Sequence, residues 1–177
     1  MKTALGAILI TEQEIRRRIV ELGRQISNDY SKTSLMFVGI LRGSFIFLAD
    51  LIRAISLEAP VEVDFMSVSS YGDSTATSGT VHIEKDLGIS VDGKDVIIVE
   101  DIVDTGLTLF HVSNILSGRG ARSLRVAALL EKPGNSKYKR PLDYVGFKIP
   151  NKFVVGFGLD YAQQYRNLPD IRVLDEI

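Results

Sequence analysis

Short runs of aliphatic residues recur along the chain, separated by stretches in which apolar residues appear at helical spacing. A continuous aliphatic run bounded by turn residues is typical of a strand that is covered on both faces of a parallel sheet. Strands that alternate with helical stretches predict an α/β fold, in which helices flank a parallel-sheet core. On this basis we predict four core strands, at residues 35–41, 61–68, 96–99 and 124–130.

The first predicted helix begins where Thr11 and Glu14 stand at the spacing of a capping box. The apolar residues that follow share one face of this helix: Ile15, Ile19, Leu22 and Ile26. The tail from Tyr161 onward is too mixed to assign. The remaining predicted elements are helices at residues 44–55 and 107–116 and short strands at residues 145–149 and 153–157.

The segment from residue 96 to residue 109 carries the strongest chemical signal in the chain. Its aliphatic strand is followed directly by Glu100 and Asp101, and then by Asp104. The carboxyl end of a parallel strand is where open α/β sheets bind their ligands. Gly106 allows a tight turn into the following helix, whose first backbone N–H groups would face a phosphate. We therefore predict an active site at this end of the strand.

Three carboxylates beside an anion site would repel the anion unless something lies between them. A ribose diol and a magnesium ion fit this place, because carboxylates accept hydrogen bonds from sugar hydroxyls and bind hard cations. Thr105 and Thr108 would donate hydroxyl hydrogen bonds to a terminal phosphate. An ordinary strand-to-helix turn would explain Asp104 and Thr105 as capping residues, but it leaves Glu100 and Asp101 without a role.

Composition narrows the function classes. The 177 residues, 45% of them hydrophobic, predict one globular domain over residues 1–177 with a sizeable core. Its 21 basic and 22 acidic residues give a net charge of −1, which favours neither nucleic acid nor an anionic membrane. The chain has no cysteine, and its two histidines, His82 and His111, lie far apart, which excludes thiol nucleophiles and the usual zinc sites. With no apolar stretch long enough to span a membrane, we expect a soluble, cytoplasmic protein.

Other nucleotide-binding fingerprints do not match. Gly93-Lys94 is followed by Asp95 rather than Ser or Thr, so it is not a P-loop. The G-x-G fragments at residues 118–120 and 156–158 have no third glycine, and we interpret them as a helix end and a close-packed strand end.

The pattern of residues 100–106, two acids, two apolar residues and Asp-Thr-Gly, resembles the 5-phosphoribosyl 1-diphosphate (PRPP) binding motif of the type I phosphoribosyltransferases. The resemblance implies a parallel-sheet fold with a small hood formed by the chain termini and a mobile lid loop. It also implies that residues 100–101 and 104–108 bind PRPP. In some family members a lysine stands between the residues matching Gly106 and Thr108, whereas this chain has Leu107 there.

Other segments, in the same order from about residue 38 to residue 166, resemble the hypoxanthine-guanine branch of that family. Residues 39–44 match its pyrophosphate loop, in which the peptide between the residues at Leu41 and Arg42 is often cis. Residues 67–80, rich in Ser, Thr and Gly, occupy the place of the active-site lid, and Ser70 and Tyr71 match the pair that closes over the reacting centre. A surface hairpin is the alternative for this segment.

The same resemblance assigns further site residues. Lys132 matches the lysine that recognises the purine 6-oxo group, and a donor-only ammonium disfavours the 6-amino group of adenine. Phe153 matches the aromatic residue that stacks on the base, and Val154 the residue whose backbone pairs with the base edge. Asp160, also at the purine site, matches a carboxylate that holds a second magnesium through water. Arg166 matches the family's arginine that binds pyrophosphate together with the residues at Arg42 and Gly43.

These matches imply a magnesium-dependent purine salvage enzyme. It would transfer the phosphoribosyl group of PRPP to N9 of hypoxanthine, and of guanine as well, with Asp104 as the general base or proton carrier at N7. Glu100, Asp101 and Asp160 would hold magnesium, and the family suggests a homodimer or homotetramer. Two alternatives remain at this stage. One is a PRPP-sensing regulator that binds nucleic acid, and the other is a metal-dependent phosphatase or phospho-acceptor domain.

Overall fold

The computed structural model describes residues 3–70, 81–134 and 141–176. In that part of the chain, a six-stranded sheet with the order β4-β3-β2-β5-β6-β7 forms the centre, and a second sheet of three strands, β1-β9-β8, packs into a shared core through Ile10, Val154 and Ile171. The strands are β1 (Thr3–Ile10), β2 (Leu35–Leu41), β3 (Val61–Ser70), β4 (Val81–Lys85), β5 (Asp95–Val103), β6 (Ser123–Glu131), β7 (Tyr144–Lys148), β8 (Val154–Val155) and β9 (Ile171–Glu176). The helices are α1 (Glu12–Asp29), α2 (Phe45–Arg53) and α3 (Leu107–Gly118).

The six-stranded sheet is parallel except at one edge, where β4 pairs with β3 in the antiparallel sense. Alternate residues of its central strands point to opposite faces. On one face they join a core with α1 and α2, which includes Leu22, Phe37, Leu48, Ile97 and Leu129. On the other face they join a core with α3, which includes Met36, Ile98, Val112, Leu116 and Val126. The predicted α/β fold with a sheet covered on both faces is therefore confirmed.

Helix α1 begins as predicted. The backbone N–H of Thr11 donates to Glu14 Oε2 at 2.9 Å, and the backbone N–H of Glu14 donates to Thr11 Oγ1 at 3.3 Å. Two N–H groups that the helix itself leaves without acceptors are satisfied in this way. The four apolar residues predicted for its inner face are all buried: Ile15, Ile19, Leu22 and Ile26.

Three strands were not predicted from the sequence. β1 and β9, near opposite ends of the chain, pair in the antiparallel sense, and β4 pairs with the end of β3. The predicted strand at residues 153–157 was too long, because Gly156 at φ 101° and Phe157 at φ 49° turn the chain after Val155. The three-stranded sheet pairs strands from near the two ends of the chain, and the expected hood stays a prediction.

The predicted lid is only partly described. Its first residues, 67–70, belong to β3 and pair with β4, so a loop beginning at residue 67 was wrong. Tyr71 and the rest of the predicted lid, residues 71–80, lie outside the described residues, as does the side chain of Ser70. Within the described ranges, no helix combines the length and apolar character needed to cross a membrane.

Candidate active site

Strand β5 extends further than the aliphatic pattern indicated. It continues to Val103, and Glu100 and Ile102 still pair with β6. Glu100 and Asp101 are therefore strand residues, and because neighbouring strand residues face opposite sides of a sheet, their side chains diverge. The predicted strand end at residue 99 was wrong. Polar side chains on the last residues of a buried strand interrupt the apolar pattern, although the strand itself continues.

A small cavity of about 110 Å³ lies between the end of β5 and the start of α3. Gly106 precedes the helix with φ 80°, a left-handed conformation that favours glycine. The first N–H groups of a helix have no acceptor within the helix, which makes such a turn suitable for an anion. The cavity is lined by Glu100, Ile102, Val103, Asp104, Thr105, Gly106, Leu107, Thr108 and Leu109.

A larger cavity of about 280 Å³ lies beside it, on the side of β6 and the segment around β8. It combines apolar walls with a few charged groups, as is usual for sites that bind a flat heterocycle. Phe153 is 53% exposed, and its ring meets that of Tyr161 edge to face at 5.8 Å between centroids. This cavity is lined by Asp101, Ile102, Asp104, Lys132, Phe153, Val154, Leu159 and Asp160.

Asp104 lines both cavities. Lys132 follows strand β6, is buried, and places its Nζ 3.3 Å from Asp104 Oδ2. The backbone N–H of Lys132 donates to the carbonyl of Val103 at 2.9 Å, which fixes the start of the Lys132 side chain beside the end of β5. A carboxylate and an ammonium therefore stand together at the boundary between the two cavities.

The two carboxylates at the end of β5 are hard to ionise. Burial raises the pKa of Glu100 well above its usual value, and the neighbouring Asp101 carboxylate raises it further. Burial also raises the pKa of Asp101 to about 6, although backbone N–H groups and the guanidinium of Arg166 act in the opposite direction. Carboxylates in this state would be stabilised by a nearby cation.

The loop between β2 and α2 packs directly against Asp101. Its Leu41–Arg42 peptide is cis, and the buried hydroxyl of Ser44 donates to the carbonyl of Ile40 at 2.6 Å. Gly43 lies so close to Asp101 that a Cβ atom built on it would overlap the carboxylate. A larger residue at this position would have to displace the loop or the Asp101 side chain.

The segment after β8 closes the site from the other side. A Cβ on Gly158 would overlap the carbonyl oxygen of Gly43, so the two segments meet backbone to backbone. Arg166 donates to the Gly158 carbonyl at 2.7 Å and forms an ion pair with Asp160 at 2.7 Å. The Gln163 side chain accepts hydrogen bonds from both Arg42 and Arg166. Gln163 was not predicted, because a single glutamine in an unassigned tail carries no local signal.

The predicted site residues thus fall into three connected groups. The smaller cavity contains Glu100 and residues 104–108, and the larger one contains Asp101, Lys132, Phe153, Val154 and Asp160. Arg42 and Arg166 meet at Gln163. In the described part of the chain, no three acidic or histidine side chains converge on a point that could hold a metal ion by themselves.

Comparison with known proteins gives one consistent result. The model of the phosphoribosyl transferase domain family matches residues 7–162. The hypoxanthine-guanine phosphoribosyltransferase of Bacillus subtilis is 47% identical over 174 residues, which cover 98% of this chain and 96% of that protein. A crystal structure of a hypoxanthine-guanine phosphoribosyltransferase from Bacillus anthracis superposes with a TM-score of 0.91 at 39% identity, covering 99% of this chain and 100% of the other. A Trypanosoma cruzi hypoxanthine phosphoribosyl transferase, solved to study the role of its C-terminal region in oligomeric state and enzymatic activity, superposes with a TM-score of 0.90 at 42% identity, covering 97% and 92%.

The contact between Gly43 and Asp101 can be tested directly. We expect Gly43→Ala to lower the free energy of unfolding by about 1–3 kcal/mol, because the added methyl group overpacks a closed contact. Gly88→Ala is the matched control, since a Cβ there would lie 3.8 Å from Asp64 Oδ2, at ordinary contact distance. Its free energy of unfolding should stay within about 0.5 kcal/mol of the wild type in urea titrations. Equal free energies of unfolding for the two variants would show that the loop moves to accommodate the added methyl group at no cost.

Proposed function

The chain belongs to the phosphoribosyltransferase family, and from this premise we propose how its two cavities perform purine salvage. The protein transfers the 5-phosphoribosyl group of PRPP to a 6-oxopurine, forming a nucleoside monophosphate and pyrophosphate. The observation that carries our assignment of roles is the position of Asp104, which lines both cavities and so stands where the two substrates would meet. A nucleic-acid-binding regulator and a phosphatase are not favoured, because relatives similar over nearly the full length are named phosphoribosyltransferases.

The smaller cavity would bind the 5′-phosphate of PRPP. Thr105, Thr108 and the backbone N–H groups at the start of α3 would donate hydrogen bonds to it, helped by the positive end of the helix dipole. These groups compensate for Leu107, which supplies no charge where some family members have a lysine. Glu100 also lines this cavity, and it would accept hydrogen bonds from the ribose hydroxyls.

The larger cavity would bind the purine. Phe153 offers an exposed ring on which the base can stack, and the backbone of Val154 would pair with the base edge. Lys132 would donate to the 6-oxo oxygen, which adenine lacks. The 6-oxo oxygen and N7 lie side by side on one edge of the purine, as the Lys132 ammonium and the Asp104 carboxylate lie side by side in the cavity.

This pairing gives Asp104 its proposed catalytic role. As N9 bonds to C1′ and the bond from C1′ to the pyrophosphate oxygen breaks, positive charge spreads over the purine ring. Asp104 would accept the N7 proton and so remove that charge. The adjacent ammonium of Lys132 would stay on the 6-oxo oxygen throughout, which fixes the orientation of the base during the transfer.

The leaving pyrophosphate would be held by the loop after β2 and by the segment after β8. The Arg42 and Arg166 guanidinium groups and the backbone N–H of Gly43 would stabilise the negative charge that develops on it. Magnesium, when bound, would neutralise part of the same charge. Asp101 and Asp160, which line the larger cavity, and Glu100, which lines the smaller one, are the carboxylates that would hold the cation. Magnesium commonly takes only one or two carboxylates and completes its shell with phosphate oxygens and water.

We also propose a cytoplasmic homo-oligomer. Leu5 and Ile8 are 41% and 47% exposed on β1, which pairs with the C-terminal strand β9. The C-terminal region is the part of the Trypanosoma cruzi relative that was studied for its role in oligomeric state. The absence of cysteine from the sequence suits a reducing compartment.

Release of pyrophosphate tests the proposed substrates. With PRPP and magnesium present, we expect rapid release with hypoxanthine and with guanine, and release slower by several orders of magnitude with adenine. Xanthine should be included as the fourth base. Pyrophosphate release that does not depend on any purine would instead indicate a phosphatase.

Asp104→Asn tests the proton transfer. The amide keeps the size of the side chain but cannot take the N7 proton, so kcat should fall by roughly two to four orders of magnitude. The affinity for PRPP, measured by calorimetry, should change much less, which would show that the site is intact. A rate near that of the wild type would remove Asp104 from the chemistry.

Lys132→Gln tests base recognition. The amide offers an acceptor for the 6-amino group of adenine as well as a donor. The ratio of kcat/KM for hypoxanthine to kcat/KM for adenine should therefore fall by about one to two orders of magnitude. Lys148→Gln is the matched control, because Lys148 ends the neighbouring strand β7 and its side chain is 69% exposed. An unchanged ratio in Lys132→Gln would show that Lys132 does not recognise the base.

A further inference from the structure

Two arginines from distant parts of the chain meet at a single amide oxygen. Gln163 Oε1 accepts a hydrogen bond from Arg42 Nη1 at 3.2 Å and another from Arg166 Nη2 at 3.1 Å. A guanidinium group has donors and no acceptor, so the amide must present its oxygen to both arginines. Gln163 thus connects the loop after β2 to the segment after β8, which are 121 residues apart.

The backbone of Gln163 is held in an unusual conformation. Its φ is 66°, and Ala162 and Tyr165 beside it also have positive φ, at 50° and 74°. Residues other than glycine rarely adopt this conformation, and they persist in it where the surroundings enforce it, often at functional sites. The N–H of Gln163 donates to Asp160 Oδ2 at 2.8 Å, and Asp160 is paired with Arg166. The side chain of Gln163 thus bonds Arg166 directly, and its backbone N–H is connected to Arg166 through Asp160.

Two guanidinium groups repel each other unless an acceptor lies between them. Arg42 is exposed, and a long exposed side chain without a fixed partner samples many rotamers. An acceptor that orders both side chains before the ligand arrives reduces the entropy lost on binding. A guanidinium group has five N–H donors, so donors remain for a phosphate group even on Arg166, which also bonds the Gly158 carbonyl and Asp160.

We propose that Gln163 is a positioning residue for the pyrophosphate group, acting through Arg42 and Arg166. This inference rests on the proposed function, in which these two arginines bind pyrophosphate. The residue does not need to touch the reacting atoms. Its effect should therefore appear in the binding of the two ligands that contain a pyrophosphate group, PRPP and pyrophosphate itself, and not in the binding of the base or the nucleotide.

Two substitutions separate the side chain from the backbone. Gln163→Gly removes the acceptor and makes the positive φ easier to adopt. Gln163→Glu keeps both the length and the acceptor. Gln164→Ala is the control, because Gln164 is the next residue, of the same type and also exposed. Initial rates should be measured in both directions, from PRPP with hypoxanthine and from the nucleoside monophosphate with pyrophosphate.

We expect Gln163→Gly to raise the KM values for PRPP and for pyrophosphate about tenfold, the size expected for losing a hydrogen bond to a charged group. The KM values for hypoxanthine and for the nucleotide should stay within about twofold of wild type. Gln163→Glu keeps the acceptor but adds a negative charge near the anion, so it should raise these KM values to a lesser extent than Gln163→Gly. Gln164→Ala should be indistinguishable from wild type.

The proposal is overturned if Gln163→Gly leaves the KM values for PRPP and pyrophosphate unchanged, or raises all four KM values equally. It is also overturned if the glycine and glutamate variants are impaired to the same extent, since the acceptor would then be irrelevant. Failure of the wild-type protein to consume pyrophosphate together with the nucleotide would instead reject the proposed function. The two failures are therefore distinguishable.

Discussion

The site depends on the burial of two adjacent carboxylates at the end of β5. Because neighbouring residues of a strand face opposite sides of the sheet, Glu100 and Asp101 cannot serve one cavity, and each lines its own. Burial raises the pKa of both groups, because it disfavours the ionised form of each carboxyl group. A cation beside either carboxylate would favour its ionised form, and the guanidinium of Arg166 acts in this way on Asp101.

The loop after β2 and the segment after β8 pack closely at the end of β5, and their backbones meet directly. Gly43 lies against the Asp101 carboxylate, and Gly158 lies against the Gly43 carbonyl, so three segments stack with no room for a Cβ atom between them. Two cationic side chains come from this stack, that of Arg42 from the middle segment and that of Arg166 from the segment after β8. A shift of the loop after β2 would move the segment after β8, because those two segments meet backbone to backbone.

The parts of this molecule that could be predicted from sequence are those with a local signal. The aliphatic run before Glu100 and the turn glycine Gly106 each determine their surroundings over a few residues, and both the buried strand and the turn into α3 are present. β1 and β9 could not be predicted, because they pair across almost the whole chain and each contains small or charged residues that break a strand pattern. The divergence of the Glu100 and Asp101 side chains was not predicted, because the polar residues at the end of β5 break the apolar strand pattern and were assigned to a loop.

Gln163 illustrates what a motif search misses. Its importance lies in a meeting of two guanidinium groups that only the folded chain creates, and nothing in the residues around it indicates that meeting. The same holds for the balance of charge at the site as a whole. The chain carries a net charge of −1, yet at this edge of the sheet Arg166 pairs with Asp160 and Lys132 with Asp104. A highly charged phosphate ligand can enter such a surface because Asp104 and Asp160 already have basic neighbours, which are in place before the ligand arrives.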